Sequence, residues 1–199
     1  WDSFDPYVDA AAGRFRGGPG FHLKVTNGAG LSERLPSCIS ELLHQYEVPA
    51  ALGKQIYDDA CSIGCVVGRM CPWAPHLEIK LDIHGENDCN RWHQDRYAGR
   101  AIVSYTGLAA TEYTRSSNVD FWELENCGNN ECIIIDKKET RAIDVGDILF
   151  MKGAGYPADV KGLVHKSPES QFSPEGRLVH RLTLKVDVPP PPPKSHTPS

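Results

Sequence analysis

Long apolar runs are missing from this sequence. The longest, Ile133-Ile134-Ile135 and Ile148-Leu149-Phe150-Met151, have the length of strands, so no membrane span is expected where a helix needs about 20 apolar residues. A dense basic block is missing too. Lys and Arg number 21 against 26 Asp and Glu, for a net charge of −5 and a pI near 5.9. The bulk electrostatic footprint of a duplex nucleic-acid binder is therefore absent, and only a local groove stays open. Cysteine is present but unpaired in number: there are 7, an odd count in a chain that is not small. That excludes the disulfide framework of a small secreted domain. With no visible signal peptide, it also favours an intracellular setting. The chain begins at Trp1 rather than Met, as expected of a trimmed or mature fragment.

What is present is ordinary globular material. At 199 residues, 40% apolar and 24% charged, the chain is neither disordered nor collagenous nor a coiled coil. It has the length of one domain, and a domain of this size buries about 70% of its unfolded surface. Cys61, Cys65 and Cys71 fall close together. They could hold zinc, but no further pair or His at ligand spacing supports this, and they read better as small buried hydrophobes.

Residues 1–35 are rich in glycine and weakly periodic, which predicts an irregular arm with one short strand at 21–25. Pro36 and Ser37 open a predicted helix that places Ile39, Leu42 and Leu43 on one face. A second helix follows to residue 67, with Leu52, Ile56, Ala60, Ile63 and Val67 at helical spacing. Helices are thus expected across 37–67. Beyond Pro72 the period becomes two: Leu77, Ile79, Leu81 and Ile83 alternate with Glu78, Lys80 and Asp82. Strands are predicted at 77–84, 90–95, 100–106, 111–115, 120–124, 132–136, 140–151 with a break at Gly146, 163–166 and 177–187, separated by Gly-, Asn- and Pro-rich turns. Two helices followed by many short strands predict an α+β domain over 36–188, with a sandwich or jelly-roll core at 77–188 covered on one sheet by the helices. The tail at 189–199 opens with five consecutive prolines and predicts an extended polyproline II segment, read as a linker or a docking peptide.

The chemistry concentrates in Arg91-Trp92-His93-Gln94-Asp95-Arg96-Tyr97. On an extended segment, residues two apart project to the same side. His93 and Asp95 then supply two of the three ligands of the 2-His-1-carboxylate triad of non-haem iron(II). Alone, the pair also fits a surface hydrogen bond. Later come Gly162-Leu163-Val164-His165-Lys166-Ser167-Pro168 and, in the last predicted strand, Arg181-Leu182-Thr183.

His-x-Asp, a distant His, then Arg-x-Thr in the final strand resembles the iron(II)/2-oxoglutarate-dependent dioxygenase superfamily. Gly146-Asp147-Ile148-Leu149-Phe150 is similar to the turn and strand that precede its distal His. The Trp92–Tyr97 stretch resembles the phytanoyl-CoA hydroxylase branch. Other features are closer to an uncharacterised branch of bacterial and algal domains: Tyr105-x-Gly107 with Thr111-Glu112-Tyr113, His165-Lys166-Ser167-Pro168, and the run from Arg181 to Asp187. Leu108-Ala109-Ala110-Thr111 departs from it by lacking a second glycine before the Thr.

The resemblance implies a double-stranded β-helix with N-terminal helices packed on one sheet. It implies iron(II) held by His93, Asp95 and His165, and 2-oxoglutarate held by Arg181, Thr183 and Tyr105, with ascorbate as a possible support. A planar guanidinium suits the far carboxylate of that co-substrate. The reaction would be hydroxylation of an unidentified small molecule or peptide, with release of succinate and carbon dioxide. Trp92, Tyr97, Arg100 and Glu112 are substrate-contact candidates. The alternative is a cupin-like jelly roll that binds metal or ligand without turnover. A nucleic-acid demethylase of the same superfamily is disfavoured by the acidic pI.

His180 competes with His165 as third ligand. Alternation puts His180, Leu182, Leu184 and Val186 on one face of the last strand, and Arg181, Thr183 and Lys185 on the other. If the leucine face packs under the helices, His180 points away from the iron and His165 is the ligand.

Overall fold

The computed structural model describes residues 4–15, 21–86, 89–158 and 160–191. The chain begins with helix α1 (Asp5–Phe15), strand β1 (Phe21–Thr26) and helices α2 (Leu31–Gln45) and α3 (Ala50–Met70). Strands β2 (His76–His84), β3 (Gly99–Ser104) and β4 (Glu112–Thr114) follow, then short helices α4 (Phe121–Asn126) and α5 (Asn130–Ile133). The last strands are β5 (Arg141–Ala142), β6 (Ile148–Lys152), β7 (Val164–Lys166) and β8 (Arg181–Val188).

Two antiparallel sheets form, one in the order β1-β2-β8-β3-β6 and one in the order β5-β4-β7. The large sheet has two chemically different faces, and its register shows why. Leu81 and Val103 both pair with Leu184, and Ile79 and Ala101 both pair with Val186. Those residues are buried with Leu35, Ile39, Leu52, Ile56 and Ile63 of α2 and α3 in one core. Each fully buried Leu or Ile stabilises by about 1.5–3 kcal/mol, so this helix-on-sheet layer fixes which face is which. Period two then sends Glu78, Lys80, Asp82, Arg100, Thr183, Lys185 and Asp187 to the opposite face. A smaller core of Trp92, Val119, Ile133, Ile134 and Val164 lies against the small sheet.

The leucine face of β8 therefore packs under the helices, as the sequence predicts. Other expectations need correction. Residues 5–15 are helical, not irregular, because Val8, Ala11 and Ala12 are buried on one side of α1. Segment 120–124 is mainly helical rather than a strand, and 132–136 is the end of α5 followed by a single bridge from Ile134 to Val119. Asp120 caps α4 by accepting from the Trp122 and Glu123 amides, and Asn129 caps α5 by accepting from that of Glu131. These local caps outweigh the β-branched run at Ile133. Segment 90–95 is reduced to one bridge, between His93 and His165. Helix α2 starts at Leu31, five residues ahead of Pro36, which sits inside it. The prolines beyond residue 191, with the rest of the tail, lie outside the described residues. Among the described residues no helix is long and apolar enough to cross a membrane.

Candidate metal centre

The segment after β2 runs back alongside β7. His93 and His165 exchange both backbone hydrogen bonds, each at 3.0 Å. The two imidazoles therefore stand side by side, with ring centroids 4.5 Å apart. Asp95, two residues on, turns to the same place, and one ligand atom from each of the three lies within 4.8 Å of the others. Gln94 points the other way and donates to the Gly162 carbonyl at 2.6 Å, tying this segment to the loop that leads into β7.

The hydrogen bonds around the trio set its chemistry. Nδ1 of His93 lies 2.7 Å from the Arg91 carbonyl, and Nδ1 of His165 lies 3.1 Å from the Leu163 carbonyl. A carbonyl can only accept, so each Nδ1 carries the proton and each Nε2 keeps a lone pair. Metal-binding histidines are oriented by this kind of bond. Burial holds the His165 imidazole down to about 4, against the opposing pull of Asp95, so it is neutral at pH 7. Asp95 Oδ1 accepts from Arg100 at 2.9 Å. Asp95 Oδ2 is buried and accepts no hydrogen bond, but the same Arg100 nitrogen ion-pairs with it at 2.9 Å, and it lies 3.4 Å from His165 Nε2. A buried carboxylate oxygen that accepts no hydrogen bond keeps lone pairs open to a further positive partner. Two imidazole lone pairs and that oxygen fit a divalent cation bound on one face.

Arg100 and Asp187 brace this carboxylate. Asp187 is fully buried and takes Arg100 through both oxygens, at 2.5 and 3.0 Å. Lys80 reaches Asp187 at 3.2 Å and the Tyr97 hydroxyl at 2.6 Å. Burial disfavours the Arg100 charge, but Asp187 and Asp95 outweigh it and hold the guanidinium protonated. A planar, bidentate Arg fixes the orientation of Asp95 more tightly than a Lys would.

Arg181 and Thr183 lie on the same inner face, further along β8, and both are buried. Arg181 crosses Gly107, whose φ is +110° and where a Cβ would sit 2.5 Å from Arg181 Cγ. Only glycine leaves that path open. His84 pairs with Arg181 across β2 and β8. Burial first, then the charges of Lys185, Arg181 and Arg100, push the His84 imidazole down to about 2. Arg100 and Lys185 have acid partners on the same face, Asp187 and Asp82, so a neutral imidazole sits among charges of both signs. Ser104, opposite Thr183, has a fully buried hydroxyl oxygen with no hydrogen-bond partner.

Several sequence-derived candidates take other places. Tyr105, expected at the co-substrate, lies on the helix-covered face with its hydroxyl donating to Asp59 at 2.9 Å. It is one residue from Ser104, and strand alternation gives the inner position to the serine. Trp92, adjacent to His93, points into the small core beneath the Lys166 ammonium. Glu112 pairs with Lys166 at 3.2 Å, on that same side of the small sheet. Tyr97 is stacked between Lys80 and Arg100. Arg100 contacts Asp95 and Asp187, a bracing position rather than the substrate contact expected of it. His180 Nδ1 donates to the Asp9 carboxylate of α1 at 2.8 Å, away from the trio. His84, Ser104, Lys80 and Asp187 were missed as site residues. The period-two pattern of β2, β3 and β8 was the signal that places them inside.

A profile of the family described as "Protein of unknown function (DUF1826)" matches residues 31–187. The chain belongs to that family. Members of DUF1826 carry no assigned activity in this description, and no curated protein matches the chain. Among solved structures, dioxygenase for auxin oxidation 1 from Arabidopsis thaliana, in its 2-oxoglutarate binary complex, is similar at a TM-score of 0.50 and 10% identity, over 86% of this chain and 63% of that one. The dioxygenase for auxin oxidation of rice is similar at a TM-score of 0.48 and 9% identity, over 92% of this chain and 63% of that one. The chain spans 63% of the length of these neighbours. At such identity the likeness is one of fold: this DUF1826 chain has a mixed α/β architecture of antiparallel sheets similar to that of a 2-oxoglutarate dioxygenase.

Proposed function

We propose that this chain is an iron(II)- and 2-oxoglutarate-dependent oxygenase that hydroxylates a small-molecule or peptide substrate, releasing succinate and carbon dioxide. The observation that carries this reading is the convergence of two carbonyl-oriented imidazoles, His93 and His165, on the Asp95 carboxylate, which Arg100 holds and whose buried Oδ2 accepts no hydrogen bond. The wiring supports it. Adding the His93 segment beside β7 extends the small sheet to the order His93-β7-β4-β5, beside the order β2-β8-β3-β6 in the large one. From β2 onward successive segments then alternate between the two sheets, save that β4 and β5 share the small one, as in a double-stranded β-helix.

Bound iron and 2-oxoglutarate would supply oxygen activation and the two reducing electrons it needs. This chain's residues do the rest. His93, Asp95 and His165 hold one face of the metal and leave the other for co-substrate. Arg100, anchored by Asp187, keeps Oδ2 of Asp95 turned toward the histidines. Arg181 receives the far carboxylate of 2-oxoglutarate, with Thr183 and Ser104 as hydroxyl partners. His84, held neutral, adds no charge of its own. The planar guanidinium of Arg181, on this buried inner face, is suited to a carboxylate.

The test is succinate formation from 2-oxoglutarate with iron(II) and ascorbate. Metal-dependent succinate that vanishes in Asp95→Ala supports the oxygenase. Stoichiometric iron binding without any succinate, across a range of substrates, leaves the non-catalytic metal-binding jelly roll instead.

A further inference from the structure

A second donor cluster lies outside this centre. Glu123, in the first turn of α4, and Cys127, just past its end, stand four residues apart, and Cys132 comes from α5. One ligand atom from each lies within 4.8 Å of the others. Both thiols are free and exposed, and Glu131 adds another carboxylate beside Cys132. Among the described residues no cation side chain pairs with Glu123, whereas Glu131 is taken by Lys137 at 2.5 Å.

We propose that Glu123, Cys127 and Cys132 form a binding site for a thiophilic divalent cation of the zinc(II) class. Thiolate donors select such ions over the hard, oxygen-preferring ones. Zn–S distances near 2.3 Å place two thiolates about 3.7–3.8 Å apart in a tetrahedron, and water fills a fourth position when the protein gives three ligands. Small side-chain rotations close the present separations to that geometry.

The site is coupled to the first centre by the loop it would tie. Arg91 lies across Gly128, whose φ is +65° and which has no room for a side chain, and donates to the Cys127 carbonyl at 3.4 Å. Asn130 accepts from the Trp92 amide at 3.0 Å and donates to the Asn90 carbonyl at 2.9 Å. Residues 127–132 therefore clasp 90–92, and His93 is next in the chain. A cation joining α4 to α5 would stiffen the clasp that positions a histidine of the metal centre. No electron transfer is involved: the two thiols lose protons to solvent as the ion binds.

Cobalt(II) titration of the reduced full chain tests this. Intense near-ultraviolet thiolate-to-cobalt bands should saturate at one equivalent. Cys127→Ser and Cys132→Ser should each remove the two-thiolate spectrum with circular dichroism unchanged, since both side chains are exposed. Glu123→Gln should weaken binding roughly 10–100-fold, and Cys89→Ser should change nothing. His93→Ala should keep the thiolate bands, because the first centre holds no sulfur, so the two sites fail independently. Absence of the bands, their survival in the Cys127→Ser/Cys132→Ser double variant, or isolation of the pair as a disulfide would each overturn the proposal.

Discussion

Asp95 is a carboxylate held by Arg100 at both oxygens, of which Oδ1 accepts its hydrogen bond and the buried Oδ2 accepts none. Asp95→Ala and His93→Ala are expected to abolish iron(II) binding, measured by anaerobic titration, with little change in folding. Asp187→Asn should keep all three ligands but loosen Asp95, lowering iron affinity roughly 10–100-fold. Arg100→Leu should do more harm, because it takes the bidentate partner from the buried Asp187 and leaves it Lys80 alone. Breaking a buried pair in this way costs about 3–5 kcal/mol, readable in urea unfolding. If Arg100→Leu is as stable as the parent, Asp187 does not carry its charge in the fold. His84 contributes to the pH dependence, beside the His165 imidazole that is held down to about 4. An unfolded histidine titrates near 6.5, while the folded one refuses its proton until about pH 2. Below about pH 6.5 the unfolded chain binds one proton more, so stability falls as pH drops. The drop in Tm between pH 7 and pH 5 should shrink in His84→Gln, and an unchanged slope would remove His84 as a source of it.

At the scale of elements, β8 decides the most. Its leucines are shared between β2 and β3 beneath the helices, so Leu184→Ala should cost about 2–5 kcal/mol. Its other face carries Arg181. Arg181→Leu should raise the 2-oxoglutarate requirement steeply while leaving iron affinity nearly unchanged. A lost hydrogen bond to a charged group is worth about 1.5–3 kcal/mol, or roughly tenfold to a few hundredfold in affinity. An unchanged saturation curve would count against the clamp. The imidazole of His180, on the leucine side, meets Asp9 of α1. His180→Ala should leave the iron titration as it is and lower Tm slightly.

For the molecule as a whole, two layers divide the labour. The helices and the large sheet make an apolar core that needs no metal, while the inner face gathers charge. Removing a bound ion should therefore leave the unfolding of the α2–α3 layer cooperative, and hydrogen exchange should show its losses at 90–95 and in β7. Loss of protection in α3 instead would mean that the two layers are not separable.

Much of this was legible from residue spacing alone. Periods of 3.6 and two located α2, α3, β2, β3 and β8, and alternation alone assigned the two faces of β8, because a pleated strand has no other choice. The caps at Asp120 and Asn129 were equally local but were outvoted by the apolar run at Ile133. The sequence by itself also determined which residue types were available as ligands, namely His93, Asp95 and His165. Only the tertiary structure decided that His93 and His165 lie side by side, since that contact is a backbone pairing between segments far apart in the chain. It alone turned Tyr105 to the helices and Ser104 inward, because which face of a strand is buried under helices depends on the whole layer. And it alone made Arg100 a brace, because the fully buried Asp187 that holds it comes from the last strand.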